Sequence, residues 1–481
     1  MPYRCLADFL EELGHAGELA RVDARLEHPL EAVALTRELA STGGPAAIFS
    51  SPQDTDVPLL TNMFGSLPRI ARGLGRATLI EASEQLATVV GLMGAAGMNP
   101  PPLGTVPEPL WPRTVRGPAC QQVVRLGRDV DLRRLPALPS HPCVEQRWLN
   151  GGIGVSIDPD SRRSVVEYCT LAVLGPNTFA AAWEPCGPLA RLRFEYHDRR
   201  QKMPLAVVFG GDPAILLSTL APWPQSFDPW EALGALRGKA IELAACRSVD
   251  LAVAADCEIV IEALLTPGAR TSIGPVGLCD GSFSLPGAIP EFTVTALTHR
   301  ANPVCPALVQ LPPPNERSTI QQAMVEVLLP LLKRELPELT DLCLPGSAGG
   351  RNWAVAAIRK TTPWQARCTA HALWARRAAA QARWLVVVDE STEVRDAEAV
   401  AGAIAAHCRP DRDVITADSP PSLSDLLGGP ESPALRCCLD ATAKWSEEGR
   451  PSDAQSAALP LEVMRLVDQR WLQYGLGPRH E

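Results

Sequence analysis

Proline sets the coarse plan of this 481-residue chain. A ring that fixes φ and removes the N–H donor is kept out of helix interiors and central strands. The chain has 46 prolines, and two clusters break its periodicity. Residues 101–118 (PPLGTVPEPLWPRTVRGP) hold six of them, and residues 311–314 (LPPP) form the second cluster. The clusters divide the chain into segments 1–115, 116–314 and 315–481. A chain of this length exceeds a single core, so two or three domains are expected.

Each segment carries a different period. In the first, Leu6, Phe9, Leu10 and Leu13 form a helical stripe that stops near Gly14 and Gly17. Residues 46–49 (AAIF) and 58–61 (PLLT) read as short strands and 81–98 as another helix, which makes an α/β unit. In the second, short runs such as 206–209 (AVVF), 241–243 (IEL) and 292–295 (FTVT) recur between turns, as in a β-rich barrel or sandwich. In the third, a helical run at 320–336 precedes an apolar strand, 384–389 (WLVVVD), a helix at 397–407 and a strand at 413–416, a βαβ-type pattern. The terminal stretch 460–474 reads as an amphipathic helix started by Pro460. Its stripe of Val463, Met464, Val467 and Trp471 is expected to pack on this or a neighbouring subunit.

Several function classes are disfavoured. A net charge of −9 offers no basic face for nucleic acid. No run reaches the roughly 18 apolar residues of a transmembrane segment, and residues 1–10 are too polar for a signal peptide, so a cytoplasmic protein is expected. The 14 cysteines include no CxxC pair and read mostly as small buried hydrophobes. GxxxxGK[ST], GxSxG and HExxH are all missing, and Gly73-Leu74-Gly75 meets Thr78 where a dinucleotide fingerprint needs its third glycine.

A series of longer segments is more informative. The first segment holds LADFLEELGHAGEL (6–19), GGPAAIFS (43–50) and LTNMFG (60–65). The second holds FGGDPA (209–214), LRG (236–238), CRSVD (246–250), AADCEIVI (254–261) and TVTALTHR (293–300). The third holds LLPLLKRELPEL (328–339), WQARCTAHALW (364–374), VVVDE (386–390) and LDATAKW (439–445). In this order and spacing they resemble the UbiD family of non-oxidative decarboxylases over nearly the whole chain. The resemblance implies an α+β multidomain protein: an α/β N-terminal domain, a split β-barrel middle domain of the flavin-reductase kind, and an α/β C-terminal oligomerisation domain. It also implies prenylated FMN held with a divalent metal and potassium, and reversible decarboxylation of aromatic or α,β-unsaturated acids.

The residues that perform that chemistry are replaced. The family's EGPxGE stretch corresponds to Ile273-Gly274-Pro275-Val276-Gly277-Leu278, so both acids have become aliphatic. The NxGxYR strand corresponds to residues 164–169, with Ser164 at the metal-binding asparagine and Cys169 at the arginine. The metal-binding histidine three residues after a tryptophan corresponds to Cys186, after Trp183. The last metal ligand, a glutamate before LRG, falls at Asp228 or Pro229. Arg436 matches the basic residue that meets the flavin phosphate, a role suited to a guanidinium.

Stand-ins are few. Glu167 and Asp280 are near the vacated positions, and Cys169, Cys186 and Cys279 would make a zinc site if they converged. His299 recurs in the family as scaffold, and Asp389-Glu390 reads as a solvated strand end or an oligomer contact. The expectation is a catalytically silent homologue in which prenylated FMN and metal are lost or weakly held. It would act as a homo-oligomer or as the partner of an active UbiD paralogue. The alternatives are an active carboxy-lyase with a rebuilt pocket and a module that binds flavin or an aromatic acid.

Overall fold

The computed structural model describes residues 3–52, 55–91, 105–139, 146–275, 287–345, 352–375, 379, 382–419, 434–449 and 459–475. Its centre is a barrel that follows from the strand alternation of the middle segment. Strands Arg147–Ile157, Ser164–Val173, Thr178–Ala182, Gly287–His299, Ile259–Leu265 and Met203–Phe209 pair antiparallel in that order. The last strand then pairs with the first, through Val207↔Gly154 and its neighbours, and closes a six-stranded barrel. Alternate residues point inward: Leu149, Leu171, Phe179, Leu205, Val207, Ile261 and Phe292 fill the interior, joined by Leu189, Leu192 and Tyr196 of helix Pro188–Asp198. Phe179 and Phe292 stack at 5.2 Å between ring centroids.

The outward residues of the same strands, including Ile153, Val155, Tyr168 and Val208, belong to a second core. It takes in helices Leu6–His15, Leu67–Gly73, Leu79–Val89, Pro213–Leu220 and Pro229–Arg237. The helix read at 81–98 is thus Leu79–Val89, started by Thr78, whose hydroxyl accepts from the Glu81 N–H; residues 92–98 lie outside the described residues. The first sheet runs Leu19–Val22, Ala46–Phe49, Leu59–Thr61 and then Cys305–Pro306, so its edge strand comes from late in the middle segment. Strand Glu242–Ala245 stands outside the barrel, in a small sheet with Ala252–Ala254 and Arg113–Thr114.

Helix Glu316–Glu335 ties the two halves together. Asn315 and Ser318 form a reciprocal capping box at its start. One face (Ile320, Met324, Val327, Leu328, Leu331) packs into the main core, and the other (Val325, Leu332) into the core of the C-terminal sheet. That sheet runs Leu339–Cys343, Trp353–Ile358, Trp384–Asp389, Ala434–Asp440, Val414–Ser419, with the three central strands parallel. The terminal helix Leu461–Arg470 buries no residue on this chain; Leu461 is 75% exposed and Leu472, just beyond it, 76%.

Candidate functional site

Strand Ser164–Val173 decides where the vacated positions face, because its odd and even residues go to opposite sides of the barrel wall. Cys169 points inward with Leu171, fully buried; a Cβ added at Gly154 would sit 3.3 Å from its Sγ and 2.9 Å from Leu189. Burial, and then the Glu167 carboxylate, push its thiol well above the usual range, so it is neither a thiolate nor a cation. Tyr168 and Ala172 take the outer face. Ile273 is on that outer side, in a buried apolar cluster with Trp148, Ala172, Ala180 and Ala182. The barrel wall therefore separates Cys169 from Ile273. Leu278, Cys279 and Asp280 lie outside the described residues.

The matched metal positions do not assemble a donor set. Asp228 caps helix Pro229–Arg237: its Oδ1 accepts from the Trp230 N–H (2.9 Å) and the Glu231 N–H (3.3 Å). Ser164 sits at the strand end opposite Ile157, and Cys186 is exposed. Among the described residues, no group of three or more His, Cys, Asp or Glu side chains is placed to hold a metal ion. A hydroxyl, an exposed thiol and a carboxylate already used as a helix cap do not fit a hard divalent ion, which wants several converging oxygens. Arg436, at the matched phosphate position, pairs across to Ala417 inside the C-terminal sheet and is 1% exposed.

The stand-ins have structural partners. Glu167 is buried on the inner face, and its Oε2 accepts from the Leu189 N–H (2.9 Å). A Cβ at Gly187 would meet its Oε1 at 2.0 Å, so the carboxylate occupies the start of helix Pro188–Asp198, where it favours the positive helix end. His299 Nδ1 lies 2.6 Å from the Arg300 carbonyl. Asp389 Oδ2 accepts from the Ala443 N–H (2.7 Å), and Glu390 forms a surface pair with Arg359 (2.8 Å).

The motif segments meet in a buried ionic scaffold. The Asp212 N–H donates to Asp256 Oδ2 (2.7 Å), Arg237 pairs with Asp212 (2.9 Å), and Arg300 pairs with Glu258 (3.1 Å). Burial, with Asp212 beside it, raises Asp256 to about 7. Glu316 accepts from the Phe64 N–H (2.7 Å) and is raised to about 7 by its burial.

One cluster on the outer face escaped the sequence reading. Arg317 lies 3.8 Å from Glu184 and 4.5 Å over the ring of Tyr168, whose hydroxyl accepts from Gln310 Nε2 (3.4 Å). The only signal was an arginine two residues after a helix cap, about 130 residues from a partner that nothing in the sequence marks.

The fold defines a class first: a multidomain α+β protein whose middle region is a closed antiparallel barrel. The model described as 3-octaprenyl-4-hydroxybenzoate carboxy-lyase Rift-related domain matches residues 113–313. The corresponding C-terminal and N-terminal domain models match 318–440 and 10–89. The chain belongs to the UbiD family. It is similar to vanillic acid decarboxylase of Sedimentibacter hydroxybenzoicus in closed form, with TM-score 0.84, 21% identity and coverage of 99% of this chain and 100% of that one. Against the open form of that enzyme the TM-score is 0.73, at 22% identity and 98% and 100% coverage. An evolved dimeric form of HmfF from Pelotomaculum thermopropionicum, in complex with prFMN, gives TM-score 0.74 at 25% identity, covering 97% of this chain and 100% of that one.

Proposed function

We propose that this chain keeps the scaffold of a UbiD-family decarboxylase but not its chemistry, and acts as a partner or regulatory subunit. The observation that carries the reading is Ile273 in its buried apolar cluster, divided by the barrel wall from Cys169. Losing CO₂ from an sp² carbon leaves an electron pair that needs a sink and then a proton from a positioned acid. An isoleucine packed on tryptophan and alanine donates no proton. A thiol pushed upward in the barrel interior gives no positive charge to tune an acid. Asp228 as a helix cap supports the same reading for the metal.

The partner is a second copy of this chain or an active paralogue, met through the C-terminal region. To test the reading, the chain is co-expressed with a prenyl-FMN synthase, and the purified protein is examined for its visible spectrum and metal content. Neither flavin nor divalent metal in stoichiometric amount is expected. One flavin and one metal per chain would overturn the reading.

A further inference from the structure

The two ends of helix Pro188–Asp198 have different surroundings. Its start receives the Glu167 carboxylate, whereas its last turn, about 13 Å further along the axis, borders a shallow cavity. The cavity holds about 250 Å³ counting its open mouth, and its opposite wall is the turn that follows strand Ile259–Leu265. Tyr196, Met203 and Leu265 are buried and form the floor, while His197, Gln201 and Gly268 are exposed at the rim. Gly268 takes φ +80°, and a Cβ built there would lie 3.8 Å from His197 Cε1, so the turn faces the helix directly. Arg193, one helical turn before His197 and on the same face, is half-buried in the lining.

The charge around this cavity is one-sided. The Arg193 guanidinium stands 4.2 Å over the ring of Phe194. Among the described residues, neither Arg193 nor His197 nor Arg270, which follows the turn, forms an ion pair. Arg270 donates one Nη2 bond to the Ala288 carbonyl and keeps its other donors. The acids of the segment are directed elsewhere: Glu195 pairs with Arg191 (3.2 Å), Asp160 pairs with Arg199, and Asp198 is about 140° round the helix from Arg193. Burial, and then Arg270 beside it, lower the hold of Arg193 on its proton, with no carboxylate acting against them. In a chain of net charge −9, this local excess of cations is not a by-product of composition.

We infer that this cavity binds a phosphoryl group, gripped by Arg193 and Arg270 with the His197 ring and the Gln201 amide at its rim. Guanidinium donors match phosphate oxygens, and two cations suit a dianion better than a carboxylate of single charge. The apolar floor keeps water from beneath the anion and so strengthens each contact. An anion held in this way ties the helix to strand Arg270–Ile273, which ends at a replaced acid position, and braces that strand against it. The site does not depend on whether the chain decarboxylates.

Calorimetry on the full chain at constant ionic strength, with inorganic phosphate and methyl phosphate against acetate, tests the inference. Binding of phosphate is expected, with acetate held at least about tenfold more weakly for want of the second charge. Arg193→Gln and Arg270→Gln should each weaken phosphate binding by about tenfold or more, the effect of one charge-assisted contact. Arg191→Gln, on the same helix but paired with Glu195, should leave it unchanged. The contrast also separates this cavity from any other phosphate site on the chain. If Arg193→Gln does not fold, Arg270→Gln and Arg191→Gln decide. Methyl phosphate bound and free phosphate refused would identify an ester as the source, and the reverse would identify the free ion; either supports the site. Binding of neither, equal binding of acetate, or equal losses in Arg191→Gln and Arg193→Gln would overturn it, the last by showing only a diffuse basic surface.

Discussion

A thiol at position 169 and an isoleucine at 273 fill sites of opposite kind, and substitutions should separate them. Cys169→Arg places a guanidinium in the barrel interior beside Leu189 and Leu205, without an exit to solvent. Its cost should be roughly 3–5 kcal/mol, the range for an uncompensated buried charge, read by urea denaturation. A stable, folded Cys169→Arg protein would show that the side chain reaches the outer face. Ile273→Glu with Leu278→Glu should give no decarboxylation, because the acids would lack the cation that tunes them; activity in that double variant would place the arginine role elsewhere. Asp228→Ala should cost about 1 kcal/mol as a lost helix cap, with Asp228→Asn close to neutral and metal content unchanged in both. The sequence located positions 164, 169 and 273 through the shapes of their neighbouring motifs. It did not tell which face each takes, since a shift of one residue along a strand reverses every side chain. Arg317 and Glu184 were unreadable for another reason: their meeting depends on a fold that brings a barrel edge to a helix 130 residues later.

Among the elements, the barrel strands were legible from β-branched runs, whereas the three helices among them were not. Helix Pro213–Leu220 (PAILLSTL) is buried nearly all round, so it shows no polar face to reveal a period of 3.6. Its capping residue, Asp212, contacts Asp256, and this joint should govern the response to pH. Asp256 is raised from 3.8 to about 7 in the fold, first by burial and then by Asp212. Between these values the folded chain binds more protons than the unfolded one, so stability is greatest at the acid end and falls as pH rises through the window. Glu316, raised from 4.5 to about 7 by burial, adds a term of the same sign. Asp256→Asn should therefore flatten the dependence of urea stability on pH between 4 and 7 and raise stability at pH 8. An unchanged slope would show that Asp256 is ionised in the fold. The same variant keeps an acceptor for the Asp212 N–H, so its effect reads charge rather than a lost hydrogen bond.

For the whole molecule, the proline clusters carry no sign of how its parts share strands. Cys305–Pro306 returns to the first sheet, and Arg113–Thr114 joins Glu242–Ala245; such distant pairings of two residues leave no local pattern to read. The terminal helix was legible as amphipathic, and among the described residues none of its side chains is buried. Burying a few of them on a second subunit would contribute several kcal/mol, at about 1.5–3 kcal/mol for each large side chain. A dimer or larger assembly is expected by light scattering, weakened by truncation at Pro460; a mass near the 51.6 kDa of one chain at micromolar concentration would contradict it. The scaffold reading stands or falls on turnover. The most direct measurement is the decarboxylation of cinnamic and 4-hydroxybenzoic acids by the full chain purified after co-expression with a prenyl-FMN synthase. A rate indistinguishable from that of the heat-inactivated protein is predicted, and turnover clearly above it would contradict the account.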